Sequence, residues 1–296
     1  MGGISHRKQT FYFILFISFS LVFGILDYYV PMGFSAVLTF TNYSALSPSS
    51  YKFVGISNFI TLIHDSTFWI SLKNTIIYTI TVVPVTLILS LFIAIGLNRK
   101  TKLNTVLRLF YIMPLVTSSI AISYMWMWIF APNYGLADTI LSDLNLPAPN
   151  WLTDPHFAIF ALAIVGVWSG IGYYTVLFLA GLQNIPMEYY EAARIDGATK
   201  KDLLLHITLP LLTPMTFFVF IMLTIGTFQL FDTIFMMTSG GPGIATYSLV
   251  FYVYELGFYW YKMGYGITVS WVLYAILLIF TVIQFKLQGK WVHYEE

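Results

Sequence analysis

Six long apolar segments constrain this chain more than any other feature of its sequence. Each is about as long as the helix that crosses the hydrocarbon core of a bilayer. The six segments are residues 11–30, 74–97, 107–130, 157–182, 211–237 and 267–285. Lipid offers no hydrogen-bond partner to the backbone, so each segment must satisfy its own N–H and C=O groups as a helix. The sequence therefore predicts an all-α membrane protein in which residues 1–296 form a single domain of six transmembrane helices.

The composition of the chain agrees with this interpretation. Only 9% of its residues are charged, whereas soluble domains carry about a quarter. We expect the first segment to be an uncleaved span, because a secretory signal peptide has a shorter apolar core and a small-residue cleavage site. A seventh stretch, residues 244–261, contains Glu255 and is crowded with tyrosine and tryptophan. Since these aromatic residues favour the membrane interface, we interpret it as an interfacial or re-entrant helix.

The positions of the basic residues test the six-span topology. Six spans place four basic groups on one side of the membrane: Arg7 and Lys8; Arg99, Lys100, Lys102 and Arg108; Arg194, Lys200 and Lys201; and Lys286 and Lys290. The opposite side keeps only Lys52, Lys73 and Lys262. Cytoplasmic loops of membrane proteins carry an excess of Lys and Arg. The pattern predicts that both termini are cytoplasmic, and a seventh span would spoil it.

Several classes of function are excluded by what the sequence lacks. It has no cysteine, and its five histidines show no metal-ligand spacing, so we expect no metal site. Its net charge of +1 implies no nucleic-acid partner. The glycine-rich stretch "SGGPG" at 239–243 lacks the Lys-Ser/Thr ending of a phosphate-binding loop. Ser169 has no mid-span histidine to act as its base, which argues against an intramembrane serine enzyme.

The segment between the fourth and fifth spans, residues 184–210, concentrates charge on the predicted cytoplasmic side. Pro186 suits the first turn of a helix and Glu188 suits its N-terminal end. The run "MEYYEAARI" then predicts a short helix, Gly197 predicts a turn, and "TKKDLLLHITLPL" predicts a second helix leading into the fifth span. On composition alone, a solvated charged loop is an equally simple interpretation.

The spacing in this segment is more specific than its composition. It reads E-A-A, three residues, G, nine residues and I-x-L-P, through the residues Glu191, Ala192, Ala193, Gly197, Ile207, Leu209 and Pro210. This pattern resembles the EAA motif of permease subunits in binding-protein-dependent ABC importers. The stretches "VGISNF", "TLPLLTP" and "FDTIFMMTSGGP" are similar to the carbohydrate-uptake branch, of the maltose and glycerol-phosphate permease type.

The resemblance implies a type I ABC importer permease fold in the bacterial cytoplasmic membrane. It also implies that the EAA loop docks into a cleft of a separate ATPase subunit and moves with it. The residues that would carry this coupling are Glu188, Glu191, Ala192, Ala193, Asp196, Gly197 and Ala198. The chain itself would hold no cofactor, because ATP and Mg²⁺ would bind the ATPase. The implied partners are a second homologous permease, two ATPase subunits, an external sugar-binding protein and the surrounding lipid.

A substrate site near the middle of the membrane is also implied by the resemblance. The positions aligned with the substrate site of maltose-type permeases are Ser169, Gly170, Tyr173, Leu223, Gly226, Thr227 and Leu230. We add Asp232, because an acid within a span is a functional hypothesis by default and a carboxylate accepts hydrogen bonds from sugar hydroxyls. Ordinary helix packing is the alternative for each of these residues, and Asp27 lies close enough to a boundary to be interfacial.

The resemblance favours a carbohydrate, most simply an oligosaccharide, carried by alternating access. Several residue types differ from those of maltose permeases, so the same sugar is not implied. A glycerol phosphate ester is the main alternative, although no Arg or Lys lies deep in a predicted span to meet a phosphate. An ion-coupled sugar symporter is a further alternative, but it would show charged relays and an internal repeat.

Overall fold

The structure is a computed structural model that describes residues 6–98 and 101–293, and within these ranges it is helical. The side chains of residues 6–9, 11, 102, 103 and 105 lie outside the description, as do Arg99 and Lys100 among the predicted cytoplasmic charges. The α-helices are α1 (His6–Gly24), α2 (Val30–Leu38), α3 (Ser57–His64), α4 (Ser66–Leu97), α5 (Lys102–Val116), α6 (Ser119–Ile129), α7 (Leu136–Asp143), α8 (Ala158–Asn184), α9 (Met187–Ile195), α10 (Lys200–Asp202), α11 (Leu209–Leu211), α12 (Thr213–Phe228), α13 (Asp232–Met237), α14 (Leu249–Tyr254) and α15 (Met263–Gln288). Three π-helical turns join neighbouring helices, at Ile25–Tyr29, Leu203–Thr208 and Glu255–Tyr259.

Four described helical runs are long and apolar enough to cross a membrane: Tyr12–Leu38, Ser66–Leu97, Ala158–Asn184 and Met263–Gln288. Two bent pairs pass the same test when each pair is taken together, which brings the number of candidate spans to six. These are Val106–Val116 with Ser119–Ile129, bent by 103°, and Lys200–Leu211 with Thr213–Phe228, bent by 59°. An all-helical membrane protein is thus confirmed, while the membrane boundaries of each span stay a prediction.

The first apolar helix runs further than the sequence indicated. The prediction ended it at Val30, before Pro31, but the structure continues through a π-helical turn and α2 to Leu38. Pro31 directly follows the π-helical turn, and a local π-helical adjustment of this kind lets a membrane helix accommodate a proline without ending. Asp27 therefore lies inside a long helical run and not at its end.

The third predicted span is broken where a hydroxyl-rich sequence follows Pro114. Thr117 and Ser118 are extended, and α6 starts in a new direction at Ser119. Thr117 Oγ1 donates a hydrogen bond of 2.9 Å to the Met113 carbonyl, which the interrupted helix would otherwise leave unpaired. By contrast, Pro84 lies inside α4 without ending it. Proline therefore does not by itself decide whether a helix breaks. The break after Pro114 coincides with three consecutive hydroxyl residues, whose side chains can pair with the backbone in place of the helical hydrogen bonds.

The chain divides into two compact units. The first comprises residues 1–65 and 253–272. In it, Asn58 of the "VGISNF" stretch donates through Nδ2 to the carbonyls of Thr39 and Thr41, at 2.7 and 2.9 Å. Gly264 lies so close to the Thr41 carbonyl that a Cβ at 264 would overlap it. These contacts hold the end of α2 against the start of α15.

The second unit comprises residues 66–252 and 273–296, and its core is built on α4, α8 and α12. Two apolar clusters lie along these helices, one around Tyr78, Leu162 and Ile234 and the other around Phe178, Leu212 and Val219. Gly166 of α8 lies against the Tyr78 ring, where a Cβ would overlap the phenol oxygen. Small residues on one helix thus admit a large residue of its neighbour, as is common in membrane proteins.

The segment that follows α13 is a braced turn. Within it, Thr246 Oγ1 donates to the Gly241 carbonyl at 2.8 Å. Asn74 and Thr75 of α4 bind the next residues: Asn74 Nδ2 donates to the Ile244 carbonyl at 3.1 Å, and the Leu249 N–H donates to Thr75 Oγ1 at 3.1 Å. Only a short apolar helix, Leu249–Tyr259, follows within residues 244–261.

Candidate functional site

The predicted coupling loop, residues 184–210, folds as two helical arms joined by a tight turn. Its first arm is α9, which carries Glu188 in its first turn and Arg194 in its last. Acidic groups near a helix N-terminus and basic groups near its C-terminus both complement the helix dipole. The charged residues of α9 are therefore placed where they stabilise the helix. The helix–Gly–helix arrangement predicted from the sequence is present.

Gly197 makes the turn between the arms possible. Its φ is +83°, a conformation that costs other L-residues strain and that glycine adopts freely. The Ala198 N–H donates to the Ala193 carbonyl at 2.9 Å, and the Gly197 N–H donates to the Arg194 carbonyl at 3.1 Å. This is the Schellman pattern of helix termination, which satisfies the last carbonyls of α9. A Cβ at 197 would meet no atom within 4 Å, so the requirement is conformational.

The second arm starts with a reciprocal cap formed by Thr199 and Asp202. The Asp202 N–H donates to Thr199 Oγ1, and the Thr199 N–H donates to the Asp202 carboxylate at 2.9 Å. The Thr199 hydroxyl also donates to this carboxylate, at 2.6 Å. The hydrogen bonds from Thr199, that of its side chain first, hold the pKa of Asp202 below its ordinary value. Such a cap fixes the residue at which the second arm begins.

The first arm presents a mixed surface. Ile195 is 86% exposed and Met187 is 62% exposed. Glu191 and Ala192 are also exposed, whereas Ala193 is half-buried. An apolar side chain this open, flanked by a carboxylate and a small residue, is suited to contact with another protein.

The second arm leads directly into α12, the helix that carries three of the eight predicted substrate residues. It passes through the π-helical turn Leu203–Thr208, ends at Leu211, and bends by 59° into α12. The residue at the bend, Leu212, is buried in the apolar cluster with Phe178 and Val219. The loop and α12 are therefore consecutive parts of one bent element.

The predicted substrate residues of α8 lie on a half-buried face. Ser169, Gly170 and Tyr173 are all of intermediate exposure. The Ser169 hydroxyl donates to the Val165 carbonyl of its own helix at 2.8 Å. The rings of Tyr173 and Tyr174 meet edge to face with their centroids 5.1 Å apart. This face therefore carries tyrosine rings and hydroxyl groups.

The predicted substrate residues that follow on α12 divide into two sets. Leu223 and Thr227 are only 3% and 6% exposed, and Leu223 packs in the apolar cluster. Gly226 is exposed, and a Cβ there would lie 3.9 Å from the Tyr174 hydroxyl. The helices α8 and α12 thus approach each other at Gly226. Leu223 and Thr227 lie on the buried side of α12. Leu230 lies beyond α12, where its carbonyl accepts a 2.6 Å hydrogen bond from Ser248.

Asp232 does not lie in the middle of a helix, as the continuous segment 211–237 suggested. The helix ends at Phe228, and Asp232 begins the short helix α13. Its carboxylate accepts a hydrogen bond of 3.0 Å from the Ser119 hydroxyl. Ser119 is the first residue of α6, so this bond joins the two places where apolar segments break. Both side chains are exposed.

Sequence reasoning missed Ser119. The signal was the run Thr117-Ser118-Ser119 after Pro114, three hydroxyl residues in an apolar segment. Its partner, 113 residues away in the chain, is not indicated by anything local. Among the described residues, no three His, Cys, Asp or Glu side chains lie together in a group that could hold a metal ion.

Comparison with known proteins gives consistent matches. Residues 86–292 match the family model described as "Binding-protein-dependent transport system inner membrane component". The arabinooligosaccharide transport permease AraP of Bacillus subtilis is 35% identical over 252 residues, 84% of this chain and 80% of that protein. The trehalose/maltose transport permease MalF of Thermococcus litoralis is 38% identical over 237 residues, 79% of each chain. A bacterial alginate ABC transporter, solved with a periplasmic protein that binds an alginate pentasaccharide, matches with a TM-score of 0.83 over 96% of both chains at 17% identity.

Proposed function

This chain belongs to the family of binding-protein-dependent transport system inner membrane components, and from that premise we propose that it carries a neutral oligosaccharide across the membrane. Transport would be driven by a separate ATPase that acts on the coupling loop, residues 184–210. Family membership makes the chain a multi-pass membrane permease of an ABC transporter, a non-catalytic subunit without a cofactor of its own. ATP is bound by the ATPase partner.

The names of the relatives support a carbohydrate cargo. The two relatives compared above are permeases for arabinooligosaccharides and for trehalose or maltose. The chemistry of the proposed site agrees, since Ser169, Tyr173 and Asp232 offer a hydroxyl, an aromatic ring and a carboxylate. None of the proposed site residues is basic. A phosphate ester would meet repulsion from Asp232 without a compensating cation, which favours a neutral sugar.

We assign different roles to the proposed substrate residues. Ser169, Gly170, Tyr173, Gly226 and Asp232 are half-buried or exposed and are proposed to face the sugar. Leu223 and Thr227, which are buried, and Leu230, which packs against the apolar cluster around Tyr78, are proposed to support these residues from within the protein. We add Ser119 to the site, because its hydrogen bond to the carboxylate at 232 sets the direction in which the remaining lone pairs point.

The proposed mechanism is alternating access with mechanical coupling. An external binding protein would deliver the sugar, and a second permease would complete the pathway. Closing of the ATPase pair on ATP would draw the coupling loops together and open the pathway outward, and hydrolysis would reset it. ATP shifts this equilibrium only through its different interaction with the two states; a change from 1:99 to 99:1 needs about 5.5 kcal/mol.

The observation that carries the coupling role is the capped, Gly-turned helical hairpin with its exposed apolar tip, in direct continuation with α12. The test uses the complete complex in proteoliposomes, with both permeases, the ATPase pair and the binding protein. We expect ATP hydrolysis to rise with neutral oligosaccharides loaded on the binding protein. Stimulation by glycerol phosphate or amino acids alone would overturn the assignment of a neutral sugar.

A further inference from the structure

A hydrogen bond between two side chains joins the arms of the coupling loop. Tyr190 lies on α9, and its phenol oxygen is 3.0 Å from Thr208 Oγ1 at the end of the π-helical turn. Thr208 is 8% exposed and Tyr190 is half-buried. The bond is thus partly shielded from water, which would otherwise compete for both hydroxyl groups.

The direction of this bond follows from the second contact of Thr208. The Thr208 hydroxyl donates its single proton to the Leu203 carbonyl at 3.1 Å. Its oxygen is then left as an acceptor, so the Tyr190 O–H must donate. The two bonds form a chain from the first arm, through Thr208, to the carbonyl at the start of the π-helical turn. A π-helical turn adds a residue to the helix and is often found at functional positions.

We propose that Tyr190 is a positioning residue that transmits movement of α9 to α12. The inference rests on the proposed coupling function. The two arms leave the turn at Gly197, whose own hydrogen bonds lie at the base of the hairpin, at an angle that a contact further along the arms can hold. The hydrogen bond from Tyr190 to Thr208 fixes that angle, so a displacement of α9 by the ATPase is carried into the second arm. Beyond the bend at Leu212, the same element contains Gly226 of the proposed sugar site.

The test compares variants in the reconstituted complex by the number of ATP molecules hydrolysed per sugar transported. Tyr190→Phe removes only the phenol O–H. We expect it to keep the ATPase bound and hydrolysing but to raise the ATP-to-sugar ratio roughly fivefold, the factor that corresponds to loss of one neutral hydrogen bond of about 1 kcal/mol. Tyr189→Phe is the matched control, since Tyr189 is 47% exposed on the same helix and should leave the ratio unchanged.

Variants of Thr208 separate positioning from general stability. Thr208→Val should uncouple as Tyr190→Phe does, Thr208→Ser should restore the wild-type ratio, and the double variant should be no worse than either single variant. An unchanged ratio in Tyr190→Phe, additive effects in the double variant, or an equal effect of Tyr189→Phe would each overturn the inference. If Glu191→Ala with Gly197→Pro leaves ATPase binding and transport intact, the coupling function itself is wrong. If that pair acts as expected and Tyr190→Phe does not, only the inference about Tyr190 is wrong.

Discussion

The coupling loop and the proposed sugar site differ in how far their contacts reach along the chain. The turn at Gly197 and the cap at Thr199 are closed by hydrogen bonds between residues that are three to five positions apart. The sugar site depends on pairs such as Ser119 with Asp232, 113 residues apart. Local chemistry therefore determines the shape of the loop, whereas the packing of distant helices determines the site. Substitutions in the two regions should consequently fail in different ways.

Within the sugar site, Leu223 should affect stability and leave selectivity unchanged. Leu223→Ala removes a buried side chain from the apolar cluster and should cost about 2–5 kcal/mol of unfolding free energy. The measurement is thermal unfolding of the purified complex, together with its ranking of sugars by stimulated ATP hydrolysis. Leu205→Ala in the loop is the control, because Leu205 is 44% exposed and should cost much less. A changed sugar ranking with unchanged stability would mean that Leu223 touches the sugar.

Asp232 should affect transport and leave assembly unchanged. Asp232→Asn replaces the carboxylate with a neutral amide, so the hydrogen bonds that this side chain accepts no longer involve a charged group. Hydrogen bonds to charged groups contribute about 1.5–3 kcal/mol. We expect a loss of roughly ten- to a hundredfold in uptake at low sugar concentration, with the ATPase still bound. Ser119→Ala should give a smaller loss in the same direction. Wild-type uptake in both variants would remove this pair from the site.

The effect of a substitution at Gly197 should depend on how readily the new residue adopts a positive φ. Gly197→Val places a β-branched residue at positive φ, at a cost of about 1–2 kcal/mol, and should weaken ATPase co-purification. Gly197→Asn should be close to wild type, because asparagine visits this conformation more readily. The two variants differ in backbone preference while a Cβ at this position has free space. Equal co-purification of both would show that the turn does not shape the docking surface.

Thr199 should give the smallest effect. Thr199→Ala removes an N-cap and should cost about 1 kcal/mol of stability of the second arm, while Thr199→Ser should cost little. The lowered pKa of Asp202 sets the pH dependence of this cap: its contribution is complete above the ordinary carboxyl pKa and is lost as the pH falls through the lowered one. Coupling should therefore not titrate through this cap near neutral pH, and hydrogen exchange of the Asp202 amide would detect either change.

The difference between local and long-range contacts also explains which features the sequence predicts and which it does not. The apolar segments, the helix–Gly–helix loop and the family motif are local patterns, and the structure and the family match agree with them. The extension of the first helix past Pro31 was not predicted, because no local sequence pattern marks the π-helical turn that precedes the proline. The partnership of Ser119 with Asp232 and the inward orientation of Leu223 depend on how α6, α8, α12 and α13 pack. Periodicity within one helix does not contain that information.

The central claim is that the loop at 184–210 couples a separate ATPase to sugar movement. Its most direct test is the double variant Glu191→Ala with Gly197→Pro, which removes the exposed carboxylate and forces the turn out of positive φ. ATPase co-purification and sugar uptake by the reconstituted complex are measured beside Asp232→Asn. The account predicts that the loop variant loses both, while Asp232→Asn loses uptake and keeps the ATPase. Survival of both activities in the loop variant would contradict the account.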